Sequence, residues 1–272
     1  MIRLRQKSTG AMEFERGFHR MRKKFLFLIC VCCGLIGSSA WGIGDFSKLR
    51  IVHLKYRGGN YKPRPEAVES LLAQVSRRTS VEVKRKAIDI GLKDPDLFQL
   101  PFILMSGDSA FDPFSAEELK ILRSYLSYGG FLLIDDSSGK AGSAFDDSVR
   151  HMVSKLFPNT PLQKIPRNHS IFRSFYLVNR VAGRVVTRPF LEGITLKGRT
   201  VLLYSTNDLE GAWARNKLGH WNYDMIGGGL SQRRSSIRLG VNIVLYALTL
   251  DYKKDMVHLP IILERLRRYH SP

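Results

Sequence analysis

Gly129-Gly130-Phe131-Leu132-Leu133-Ile134-Asp135-Asp136 runs from a glycine pair through an unbroken apolar stretch into two adjacent carboxylates. An apolar run of strand length without alternation reads as a strand buried on both faces, the habit of a parallel sheet. Polar residues at its end place that end at a ligand-facing edge. Upstream, Ser115 with Glu118 three residues on forms a capping box that starts a helix over Ala116 to Tyr128, and Gly129-Gly130 closes it. Before that helix, Pro101 to Met105 reads as a short buried strand stopping at Ser106-Gly107-Asp108-Ser109.

The same order recurs nearer the N-terminus. Leu49 to Tyr56 alternates like a strand and breaks at Arg57-Gly58-Gly59-Asn60-Tyr61. Glu66 to Arg77, behind Pro65, carries Val68, Leu71, Leu72 and Val75 at helical spacing, and Val81 to Lys86 alternates again. Downstream, the pattern predicts a helix from Phe145 to Phe157, a strand from Arg199 to Ser205, a loop rich in Gly, Trp and Asn over Asn207 to Gly229, and a long helix over Gln232 to Leu250. Strand–helix–strand units with short connections predict an α/β fold: a mainly parallel sheet flanked by helices in a three-layer sandwich. No repeat or long polar linker interrupts it, so residues 43–252 read as a single α/β domain, followed by a basic C-terminal helix in 253–272.

At 272 residues, 44% hydrophobic and 10% aromatic, the chain can bury a full core, which excludes intrinsic disorder. Arg20, Arg22, Lys23 and Lys24 precede an apolar core over 25–37 and the small residues Ser38, Ser39 and Ala40. This is the order of a secretory signal peptide, and the run is shorter than the ~18 apolar residues of a membrane span. Residues 1–42 therefore read as an N-terminal extension plus a signal cleaved after Ala40 or Gly42, with an uncleaved anchor as the alternative and Met1, Met12 or Met21 as start. The expected location is the periplasm or outer face of the cell envelope. Cys30, Cys32 and Cys33 all fall within the signal, so the mature chain would have neither disulfide nor cysteine nucleophile. Of the formal charge of +19, +6 falls in residues 1–42 and +13 in the rest, a spread excess that reads as a solvated basic surface. As partner, wall polymer, an anionic lipid surface or an envelope protein stands ahead of nucleic acid, for which an exported chain without a basic-aromatic motif is ill suited.

Five motifs in order carry a family resemblance: Tyr56-Arg57-Gly58-Gly59, Asp94-Pro95-Asp96-Leu97-Phe98, Gly129 to Asp136, His169-Ser170-Ile171-Phe172 and Gly240 to Thr249. Over about Leu49 to Thr249 the chain resembles the bacterial domain of unknown function numbered 4159. The resemblance implies a flavodoxin-like or class I glutamine amidotransferase-like sandwich in an envelope setting, and no established activity. Asp108-Ser109 stand where that family tends to carry His-Gly, and His169-Ser170 where it carries His-Pro.

The candidate chemistry clusters at strand ends. Asp135 or Asp136 could hold Mg²⁺ or act as a base, but neighbours on a strand face opposite ways, so at most one would reach the crevice. The competing reading is a helix cap or a loop-amide acceptor. Asp108 could join them as a paired carboxylate, or simply form a turn. Ser109 with His169 and an aspartate would make a hydrolytic triad, though Phe111 replaces the second glycine of a nucleophile elbow. Arg57, Gly58 and Gly59, Asn168, Asn207 and Asp208, and Trp213 read as ligand-binding candidates. Without a mature thiol, cysteine-dependent amidotransfer is excluded. The favoured expectation is a non-catalytic binding or assembly module working from the C-terminal strand edge. A metal-assisted or serine hydrolase acting on an envelope sugar or peptide is the alternative, and a membrane-peripheral scaffold held by Arg265 to Arg268 is the third.

Overall fold

A computed structural model describes residues 48–251. The expected signal segment with its cysteines and the expected basic C-terminal helix lie outside the described residues. Seven strands form one sheet: β1 (Ile51–Leu54), β2 (Ile88–Ile90), β3 (Phe102–Gly107), β4 (Phe131–Asp136), β5 (Gln163–Lys164), β6 (Glu192–Leu196) and β7 (Arg199–Ser205). Their order is β2-β1-β3-β4-β7-β6-β5, parallel from β2 to β7 and antiparallel over β6 and β5. Among the described residues five α-helices accompany them: α1 (Ala67–Arg78), α2 (Ala116–Ser127), α3 (Ala144–Leu156), α4 (Leu209–Trp213) and α5 (Gly229–Asp251).

Both faces of the parallel strands are apolar because both are covered. Ile51, Phe102, Leu104, Phe131, Leu133 and Leu203 pack against α1, α4 and α5. Val52, Ile103, Met105, Leu132, Ile134 and Tyr204 pack against α2 and α3. The expected three-layer α/β sandwich is thus observed. The parallel part follows the flavodoxin-like order, whose direction reverses between β1 and β3, and the crevice above such a reversal is where open α/β sheets take ligands.

Local signals explain most elements. Ser115 Oγ accepts from the Glu118 amide at 3.2 Å while the Glu118 carboxylate accepts from the Ser115 amide at 2.8 Å, the expected capping box at α2. The second strand is a correction: Val81 to Lys86 contributes one isolated bridge, Leu49 to Val83, and the partner of β1 is Ile88–Ile90 in the register Val52–Ile88. The alternating stretch ends in Lys84-Arg85-Lys86, and its valines only half-bury against the core, so pairing shifts to the next apolar residues. Asn207 to Gly229 is not wholly loop, since it contains α4. No described helix is long and apolar enough to cross a membrane.

Candidate functional site

The two aspartates of β4 take opposite faces, as strand alternation requires, and both are fully buried. Asp135 accepts the amides of Leu209 at 3.0 Å and Glu210 at 2.9 Å, the unpaired first-turn donors of α4. Asp136 accepts the Ser138 amide at 2.9 Å and the Ser143 hydroxyl at 2.5 Å, and Ser143 in turn caps α3 by accepting the Asp146 amide. Each carboxylate therefore organises the start of one helix.

Beyond β7 the backbone turns sharply. Asn207 is buried and satisfied at both ends of its amide: Oδ1 accepts from the Thr187 and Arg188 amides at 2.9 and 3.0 Å, and Nδ2 donates to the Arg188 carbonyl at 2.7 Å. Asp208 stands at φ 54°, ψ 61°, a left-handed conformation that Asp tolerates better than most residues. Its carboxylate, fully buried, accepts the Gly211 amide at 2.9 Å, the Arg64 Nε and Nη2 at 3.2 and 2.9 Å, and the Arg184 Nε. Arg64 also lies over the Tyr223 ring, 4.1 Å from its centre.

Two residues on, Glu210 is fully buried and neither carboxyl oxygen has a hydrogen-bond partner. Ser106 on β3, the natural donor nearby, turns its hydroxyl to the Tyr61 carbonyl at 3.3 Å. Burial and the charge of Asp135 push the Glu210 carboxyl well above the usual carboxylate range. Burial and Asp208 push Asp135 up to about 7, against the pull of its two amide donors. This part of the edge is thus a buried carboxyl group whose ionisation is opposed, beside a clamped carboxylate. Among the described residues no three His, Cys, Asp or Glu side chains converge to hold a metal ion.

Asp108 and Ser109 are exposed at the end of β3, where Asp108 accepts from Asn60 Nδ2 at 3.1 Å. His169 lies at the other edge of the sheet: Nδ1 accepts the Ile171 amide at 3.2 Å and Nε2 meets the Thr200 hydroxyl at 3.1 Å. Thr200 is the second residue of β7, while Ser205, its last, pairs with Asp135. Five strand residues separate the two levels, about 16 Å, so Ser109, His169 and Asp135 do not assemble a triad. Asn168 is exposed at that same amino edge and uses its carbonyl to hold Arg173. Trp213 is core, with Nε1 donating to the Ser236 carbonyl at 3.0 Å.

Arg57, Gly58 and Gly59 do sit at the carboxyl edge, beside the β1/β3 reversal. Gly58 has φ +81°, and a Cβ there would stand 2.1 Å from Asp112 Oδ1, so the turn requires glycine. A cavity of about 260 Å³ opens there, lined by Lys55, Tyr56, Arg57, Lys93, Phe114 and Glu118 among others. The Tyr56 hydroxyl donates to the Ser106 carbonyl at 2.7 Å, and burial, Asp108 and Glu210 all oppose its ionisation. Sequence reading missed Lys55, Lys93 and Phe114, and also Arg64, Arg184 and Glu210. Only the proximity of Glu210 to Asn207-Asp208 hinted at any of them.

The strand order and the cavity above its reversal define a doubly wound α/β domain with a carboxyl-edge crevice. The family model for the domain of unknown function DUF4159 matches residues 50–248, and the chain belongs to that family. A comparison with curated proteins gives no match.

Proposed function

We propose that the domain is a non-catalytic binding or assembly module of the cell envelope, reached by export through the N-terminal segment, with its ligand site in the crevice beside β1. The observation that carries this reading is that the 260 Å³ cavity is lined from the carboxyl ends of β1 and β2 and from Asp112 to Phe114 after β3, and so lies at the β1/β3 topological reversal. Pockets that enclose a drug-sized molecule run to about 300–1,000 Å³. This one suits a single protruding group, such as a sugar, a side chain or a short peptide end. Lys55 and Arg57 offer cationic donors, Lys93 adds a further cation that pairs with Glu117, Asp112 offers an acceptor, and Phe114 gives an apolar wall.

The remaining polar side chains of the edge support binding over catalysis, because Asp135, Asp136, Asn207 and Asp208 are engaged within the fold. The amidotransferase-like kinship implied by the resemblance would make this a member that has dropped the chemistry and kept the cleft.

Calorimetric titration of the purified full chain with soluble muropeptides and glycerol-phosphate oligomers tests the reading. At least one class should bind, should bind at least ten-fold more weakly to Arg57→Ala/Lys93→Ala, and should be recovered unchanged after incubation. Turnover of the ligand, or binding indifferent to both substitutions, would sink the proposal.

A further inference from the structure

A second surface, on the outer side of α1 and α5, gathers arginines that form no ion pair with a carboxylate among the described residues. Between Gly229 and Leu250 the helix α5 has three arginines and no acidic residue. Leu230, Arg234 and Arg238 recur every four residues, forming one exposed stripe. Arg238 lies over the Tyr176 ring, 5.4 Å from its centre. Arg78 of α1 lies over the same ring at 6.0 Å and donates to the Tyr176 hydroxyl at 3.2 Å. The stripe therefore continues across Tyr176 onto the exposed Arg77 and Arg78 at the end of α1.

The stripe also has a cationic base. Arg215 and Arg233 approach the Trp221 ring at 3.7 and 4.2 Å, and burial, followed by the nearby Arg77, disfavours the Arg215 charge. Among the described residues, none of Arg77, Arg78, Arg215, Arg233, Arg234 or Arg238 forms an ion pair with a carboxylate; Asp224 is felt by Arg233 without bonding it. By contrast, Arg64 and Arg184 are paired with Asp208, and Arg150 and Arg188 with Asp146 and Glu192.

Large apolar side chains rim the same surface. Phe175 packs edge-on to Tyr176 with ring centres 4.8 Å apart and is 48% exposed; Leu177 beside it is 72% exposed and Leu230 is 70% exposed. A soluble polyanion would be served by the arginines alone. Guanidiniums combined with protruding apolar and aromatic side chains match an interface where headgroup phosphates lie just above acyl chains.

We propose that this α1–α5 face docks the domain on an anionic lipid bilayer, with Arg77, Arg78, Arg234 and Arg238 meeting phosphates while Phe175, Leu177 and Leu230 enter the headgroup layer. The ligand cavity lies at the carboxyl ends of β1 and β2, outside this surface, so docking would leave it open.

Arginine-selective modification of the full chain by phenylglyoxal, read by mass spectrometry, tests this residue by residue and is not masked by attachment through either end of the chain. Vesicles of phosphatidylglycerol and phosphatidylcholine at three to seven should slow modification of the four arginines several-fold, and pure phosphatidylcholine vesicles should not. In Arg234→Glu/Arg238→Glu the protection of Arg77 and Arg78 should vanish, since each basic residue contributes roughly five-fold to binding at an anionic surface. Equal labelling rates on the two vesicle types would overturn the proposal. So would protection by soluble polyglycerol phosphate as strong as that by vesicles, which would make the partner a polymer instead.

Discussion

Replacing Asp208 separates three roles that one side chain combines. Its buried carboxylate is shared by Arg64 and Arg184, caps α4 through the Gly211 amide, and belongs to a residue in the left-handed region. Removing one partner of a buried ion pair costs about 3–5 kcal/mol. Arg64 and Arg184 are 15% and 18% exposed and can recover some hydration, so the lower end, about 3 kcal/mol, applies here. Loss of an N-cap adds about 1 kcal/mol, and an alanine in the left-handed region about 1 kcal/mol more. Asp208→Ala should therefore lose about 5 kcal/mol, a large share of the ~5–15 kcal/mol of a typical domain. Asp208→Asn keeps the cap acceptor and the tolerance of left-handed backbone, and should lose about 3 kcal/mol. Urea unfolding followed by far-ultraviolet circular dichroism at pH 7, with both variants fitted for m as well as midpoint, measures the gap of about 2 kcal/mol. If Ala and Asn cost the same, the cap and the backbone conformation contribute nothing. A loss under about 1 kcal/mol in both would refute the clamp itself.

Asp135 is held up to about 7 when folded against 3.8 in the unfolded chain, so between those values the folded state keeps a proton that the unfolded state has released. Stability should accordingly fall as pH rises through that window, and Glu210→Gln, by removing the charge that burial disfavours, should flatten the fall and raise the melting temperature at pH 8. A slope unchanged in that variant would show that Glu210 does not contribute. His53 shifts the opposite way: buried with neither ring nitrogen bonded, it is held down to about 4, chiefly by burial and then by Lys62. Its contribution to stability is lost as pH falls from 6.5 toward 4, and His53→Leu should remove that acid-side loss and gain about 1–2 kcal/mol in urea melts at pH 5. Destabilisation in that variant would mean the imidazole has a partner after all.

The sandwich was legible because its signals are local. The unbroken apolar strand at Phe131 to Ile134, the Ser115–Glu118 box and the heptad-like spacing in α1 each depend on residues within one element. What escaped depends on pairs distant in sequence. The antiparallel edge is one example: Glu192-Gly193-Ile194-Thr195-Leu196 is short and carries a glycine, and it is a strand because Lys197 and Gly198, at φ 49° and 78°, fold it back onto β7. The clamp on Asp208 joins positions 64, 184 and 208, whose proximity no spacing reveals. His169 looked like a candidate by its motif, yet sheet polarity places it at the amino edge, and polarity is a property of the whole topology.

Two of the domain's departures from local consistency lie within three residues of each other: a non-glycine left-handed backbone at Asp208 and an unbonded buried carboxyl at Glu210. Such departures persist where surrounding structure over-determines them, and they tend to gather where a protein does its work. Here they connect to the proposed cavity through one side chain. Tyr56 lines the cavity with its ring, ties β1 to the Ser106 carbonyl through its hydroxyl, and is held un-ionised by burial together with Asp108 and Glu210. Glu210 is thus linked to the cavity wall through Tyr56, so Glu210→Gln should alter ligand affinity as well as fold stability.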